Sequence, residues 1–121
     1  MGVFKHPLDI ASADGSRHER VEALVDTGAM YSWVPDFVLR GLGFEPTLTR
    51  PFVMADGRTV ERGLTVAPVR IDGETLPTLI IFGDEGSPIL LGMITLEEFG
   101  LSVDTVNERL VRLPTPLHGH L

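Results

Sequence analysis

An apolar run that stops on an aspartate places the tightest constraint on this chain. Ala23-Leu24-Val25 leads straight into Asp26-Thr27-Gly28-Ala29. A greasy strand cannot bury Asp26 as a lone ion, because desolvating an unpaired carboxylate costs several kcal/mol. Its side chain is therefore either hydrogen-bonded in a tight turn or kept beside a cleft for chemistry. The Thr27-Gly28 pair suits both, since glycine lets the backbone turn and pass close to a ligand. On these residues alone the two readings stay open.

A second apolar run closed by glycine, Ile89-Leu90-Leu91-Gly92, leads into Met93-Ile94-Thr95-Leu96-Glu97-Glu98-Phe99-Gly100. That stretch reads as a short amphipathic helix stopped by Gly100. Most of the rest reads as strands and turns. Asp14-Gly15 separates strands over 7–13 and 16–26, the second delivering Asp26 to its turn. Tyr31 to Pro35 reads as a short strand and Asp36 to Gly41 as one or two helical turns. Strands over 50–54 and 59–71 are joined by Ala55-Asp56-Gly57-Arg58, and Asp72-Gly73 turns the chain into a strand over 75–82. A polar loop over 83–88 follows the last of these. A final hairpin pairs 101–104 with 109–113, and the prolines beyond Leu113 predict a loose tail. Nine prolines and thirteen glycines between short apolar segments favour an all-β barrel or sandwich over a helical fold.

A chain of 121 residues with no linker-like stretch predicts one domain, and 43% hydrophobic residues supply a core. The net charge of −7 argues against a nucleic-acid binder and against docking on anionic membrane. Without cysteine, disulfides, thiolate zinc sites and cysteine catalysis are excluded. No apolar stretch approaches the ~18 residues that span a bilayer, and the N-terminus lacks the apolar core of a signal peptide. The expectation is a soluble, cytoplasmic domain.

The order of strand, Asp-Thr-Gly-Ala turn, strand, hairpins, Leu-Leu-Gly and helix resembles the retropepsin-like aspartic proteases. These form the single-domain, homodimeric branch that includes retroviral proteases and their cellular relatives. The resemblance covers roughly residues 5 to 113. It implies an all-β, closed β-barrel domain with one short C-terminal helix, acting as an aspartic endopeptidase with no cofactor and no metal.

Metal-free peptide hydrolysis without a nucleophilic side chain needs one carboxylate to take a proton from water and a second acid to protonate the substrate. Two close carboxylates sharing one proton supply both roles. This chain has a single Asp-Thr-Gly; the nearest imitation, Asp104-Thr105-Val106, lacks the glycine. The second carboxylate would then be Asp26 of another copy, across a two-fold axis.

The resemblance also implies roles for matching positions. Asp26 holds and activates the water, Thr27 hydrogen-bonds across the axis, and Gly28 brings its backbone against carboxylate and substrate. Ala29 carries no hydroxyl to favour the charged carboxylate, so a mildly acidic to near-neutral optimum is expected. Met54 to Thr59 matches the hairpin that closes over bound peptide, with Ala55, Asp56, Gly57 and Arg58 at its tip. Leu24, Met30 and Trp33 beside the turn, with Pro88, Ile89 and Leu90 before Leu-Leu-Gly, are candidates for apolar subsites; plain core packing explains each equally well. Substrate would bind extended, with a loose hydrophobic preference. Viral members often pair an acidic residue after Asp-Thr-Gly-Ala with an arginine after the second glycine. Here Met30 and Met93 occupy those places.

The remaining constellations read as ordinary surface. His118 and His120 alternate in the tail without acidic or thiolate neighbours, and His6 and His18 read as isolated, solvated histidines. Asp84-Glu85 and Glu97-Glu98 read as solvated acidic pairs. Ser16, Ser32 and Ser87 lack a nucleophile-elbow context. The competing functional reading is a protease-like dimerisation or peptide-binding module with little or no hydrolysis.

Overall fold

Period-two burial builds the first hairpin. Leu8 and Ile10 face the interior from β1 (Phe4–Ala11), and Val21, Ala23 and Val25 face it from β2 (His18–Val25), with Glu19 and Glu22 turned to solvent. Their antiparallel ladder pairs Phe4 with Val25 and Leu8 with Val21, apolar against apolar. The computed structural model describes residues 4–112 and 114. After β2 come β3 (Ser32–Pro35), α1 (Asp36–Gly41), β4 (Leu48–Val53), β5 (Thr59–Ile71), β6 (Glu74–Gly83), β7 (Leu90–Leu91), α2 (Met93–Glu98), β8 (Leu101–Asp104) and β9 (Arg109–Arg112). The architecture is all-β with two short helices at the places expected for them.

Hydrogen-bonded neighbours run β1-β2-β7-β3-β6-β5, and β1 pairs again with β5 through Asp9–Arg70 and Ile10–Val69. That last pairing closes the strands into a ring. Ile10, Leu39, Ile71, Ile80, Leu91, Leu96 and Phe99 form its centre, each at most 1% exposed. β5 and β6 meet at Asp72 (φ 50°) and Gly73 (φ 91°), a two-residue turn of positive φ that matches the twist of the strands it joins.

β5 is longer than the barrel needs. Its second half pairs with β6, while its first half leaves the ring and pairs with β4, from Leu48–Leu64 to Val53–Thr59. This projecting hairpin carries the 54–58 tip. β8 and β9 form a separate two-stranded sheet following α2. Asp104 ends β8 and accepts from the amides of Val106 and Asn107, the Asn107 side chain and Arg109, so it builds the hairpin turn.

No helix among the described residues is long and apolar enough to cross a membrane. The His118–His120 pair and all of the expected tail except Pro114 lie outside the described residues.

Candidate active site

Asp26 leaves β2 just after Val25 has turned into the core. Its backbone N–H donates to the Leu91 carbonyl at 3.1 Å, so the end of β7 holds the start of the turn. Its Oδ1 accepts the Gly28 N–H at 2.9 Å, and its carbonyl accepts the Ala29 N–H at 3.2 Å. This is an aspartate-stabilised turn that leaves the carboxylate half-exposed. Among the described residues Oδ2 has no hydrogen-bond partner. The tight-turn reading of the motif is met: the side chain builds the turn with one oxygen, and the carboxylate is not buried as a lone ion.

β7 lies between the two strands that flank the turn. Leu24 pairs with Leu90 in parallel and Trp33 pairs with Leu90 antiparallel. Residues in register on neighbouring strands share a face, so Leu24, Leu90 and Trp33 form one row, each half-buried. Val25, Leu91 and Val34 point the other way and are at most 2% exposed. Three of the six subsite candidates are therefore brought together. The others are not: Ile89 packs against the core, Pro88 is exposed, and Met30 is 65% exposed on the far shoulder of the turn.

The turn and α2 satisfy each other's backbone. The first amides of a helix have no partner within it. Here Met93 N–H donates to the Ala29 carbonyl and Ile94 N–H to the Met30 carbonyl, both at 2.9 Å. These bonds tie together the two segments that the Met30 and Met93 side chains cannot join as an ion pair. Beneath them Ser32 Oγ accepts the Gly92 N–H at 3.0 Å and lies 2.6 Å from Thr95 Oγ1. Thr95 Oγ1 is 2.9 Å from Thr78 Oγ1, which donates to Glu98 Oε1 at 2.6 Å. Ser32, Thr78 and Thr95 are all buried. Glu98 is exposed as expected of a solvated pair, yet its carboxylate ends this chain of hydroxyls.

The projecting hairpin meets the turn through β4, close to the tip. Phe52 stands edge-on to Tyr31 with ring centroids 5.7 Å apart and lies 5.8 Å from Trp33, while Arg50 donates to the Tyr31 hydroxyl at 3.1 Å. At the tip Met54 N–H donates to the Arg58 carbonyl and Gly57 N–H to the Met54 carbonyl. Asp56 accepts from both the backbone and the guanidinium of Arg58, and the side-chain bond does most to hold its carboxyl below the usual range. Ala55, Asp56, Gly57 and Arg58 are all exposed. On the other side of the turn, exposed Thr27 opens onto a groove of about 520 Å³ shared with α2 and β8, lined by Met93, Leu96, Leu101 and Val103 among others.

Several participants escape sequence reasoning. Tyr31, Arg50 and Phe52 have no local signature, and the Ser32–Thr95–Thr78 contacts join distant segments. The one available signal is period two, which puts Ser32 on the core face with Val34. His6 is not the solvated histidine expected: only 18% of its side chain is exposed and Nε2 lies 3.0 Å from Asp72 Oδ1, because the β5–β6 turn folds back beside β1. Asp84 also has a partner, receiving Arg62 through two bonds of 2.7 and 2.9 Å that fasten the loop before β7 to β5. Among the described residues no cluster of three or more His, Cys, Asp or Glu is arranged to hold a metal.

Residues 15–98, well over half of the chain, match the family model described as "gag-polyprotein putative aspartyl protease". The solution structure of the simian foamy virus (mac) protease superposes with a TM-score of 0.58 at 16% identity, over 79% of this chain and 94% of that one. At that identity the likeness concerns the fold alone. No curated protein sequence matches the chain. With the family model spanning both glycine-closed motifs, the chain belongs to the retroviral-type, retropepsin-like aspartic protease family.

Proposed function

We propose that this chain is a cytoplasmic aspartic endopeptidase of one domain, core about 5–113, that works as a homodimer. Asp26, half-exposed and held by the Gly28 amide with its other oxygen unpartnered among the described residues, is the observation that carries the reading. Asp26 of two subunits share one proton across a two-fold axis. The ionised member takes a proton from the trapped water, whose oxygen attacks the peptide carbonyl carbon, and the protonated member gives its proton to the carbonyl oxygen. As that gem-diol collapses, the Asp26 that took the water's proton passes it to the amine nitrogen, the other Asp26 takes a proton from one hydroxyl, and the C–N bond breaks.

Thr27 and the groove beside it face the second copy in this reading, and Gly28 and Ala29 border the substrate backbone. Leu24, Leu90 and Trp33 form the apolar floor for an extended, mainly hydrophobic peptide. The 54–58 tip closes from above, hinged on the Tyr31–Phe52–Trp33 contacts. Activity is expected to peak between mildly acidic and near-neutral pH, and a peak below about pH 3.5 contradicts this.

The test is peptide-library cleavage by wild type and Asp26→Asn, read against protein concentration. The carboxamide oxygen of the variant can still accept the Gly28 N–H, so the protein should stay folded and dimeric while cleavage falls by at least ~100-fold. Wild-type activity should rise faster than linearly with concentration near the dimer dissociation constant. Equal, negligible cleavage by both proteins with peptide binding retained supports a binding module instead. A dimer that cuts peptides while its two Asp26 carboxylates stay beyond hydrogen-bonding range rules the mechanism out.

A further inference from the structure

We propose that Ser32, Thr95 and Thr78, ending on Glu98, form a one-way hydrogen-bond chain that positions the Asp26 turn; this rests on the protease reading above. The direction follows from counting protons. A carboxylate offers only acceptors, so the Thr78 O–H donates to Glu98 Oε1. Thr78 has then used its one proton, and its contact with Thr95 must be donated by Thr95. By the same count Ser32 donates to Thr95. The Ser32 oxygen is left with free lone pairs facing Gly92, whose N–H donates into it. Reversing any link leaves one of these contacts with two oxygens and no proton between them.

The chain ends where the site begins. Gly92 joins β7, which takes the Asp26 amide on Leu91, to α2, whose first amides hold the Ala29 and Met30 carbonyls. Glu98, a surface residue in the last turn of α2, thereby fixes the height of Gly92 beneath the turn. Buried hydroxyls have no water to replace a lost partner, so one break unsettles the links before it. All four side chains are positioning residues; none touches substrate.

Thr78→Val should lower kcat roughly tenfold with KM changed less than about twofold, the size of one lost buried hydrogen bond. Thr78→Ser, which keeps the hydroxyl, should restore kcat. At the exposed end, Glu98→Gln keeps an acceptor oxygen and should behave as wild type, whereas Glu98→Ala should lower kcat. Amide hydrogen exchange gives a readout independent of catalysis. The Gly92 amide should exchange roughly tenfold faster in Thr78→Val and Glu98→Ala, with the β5–β6 amides unchanged. Wild-type exchange at Gly92 in both variants overturns the proposal, as does failure of Thr78→Ser to rescue. A wild-type protein that cuts no peptide refutes the protease reading, and the exchange arm still decides the chain. Should Thr78→Val fail to fold, the two Glu98 variants decide it.

Discussion

Gly92 lies so close beneath Tyr31 that a Cβ built on it would stand 2.4 Å from the Tyr31 carbonyl oxygen and 3.0 Å from that of Met30. Its φ of −94° is open to any residue, so the requirement is space and not conformation. The atoms in the way are backbone, and they belong to the far end of the Asp26 turn. The glycine after Leu90-Leu91 is thus needed for the turn and α2 to approach closely enough to share hydrogen bonds.

Gly92→Ala should therefore destabilise the protein by about 3 kcal/mol, the upper part of the range for overpacking. Urea denaturation measures this. A loss under about 0.5 kcal/mol, the usual surface value, means the turn yields easily and the close approach is not a constraint.

The contact between the hairpin and the Asp26 turn can be followed by fluorescence, because Trp33 is the chain's single tryptophan. Phe52→Ala removes the ring that meets both Tyr31 and Trp33. We expect Trp33 emission to shift to the red and stability to fall by about 1–2 kcal/mol, the worth of two modest aromatic contacts. Saturating peptide should shift wild-type emission to the blue. Unchanged emission in the variant places the hairpin elsewhere in solution.

Asp104 links pH to stability. Hydrogen bonds from Asn107, then from Arg109 and the Val106 amide, depress its carboxyl from the ordinary 3.8 to about 2 in the folded protein. A depressed acid favours the folded state only while it is ionised. The contribution is full above the unfolded value and disappears as pH falls through about 2. Wild type should accordingly exceed Asp104→Ala in denaturation midpoint by a constant margin above about pH 4, shrinking toward pH 2. A margin that grows on acidification contradicts the assignment.

The Arg62–Asp84 pair is partly shielded, with 22% of the arginine side chain exposed against 65% of the aspartate. Asp84→Ala should cost about 1 kcal/mol at low ionic strength and less in ~1 M salt, since the exposed partner is screened. Melting curves at two salt concentrations check this. A salt-independent loss assigns the effect to loop packing.

Local pattern made much of the protein legible in one dimension. Alternation in 18–25 and the positive-φ turn at Asp72-Gly73 specify their own hairpins, because a ladder between neighbouring segments depends on residues near in sequence. The Asp26-Thr27-Gly28 turn is equally local: the carboxylate bonds an amide two residues on. The 93–98 helix and its stop at Gly100 follow from the same short-range chemistry.

What the sequence alone determined, then, is where the chain turns, which faces are apolar and which aspartate ends the run. Tertiary structure alone decided that two residues, Leu90 and Leu91, slot between β2 and β3, that Gly92 passes under Tyr31, and that Ser32 meets Thr95 and Thr78. A strand of two residues has too little pattern to choose its neighbours, and a buried hydroxyl finds its partner only once both strands have docked. The physical cause is the same in each case: these contacts join segments far apart in sequence, so their energies exist only in the assembled barrel.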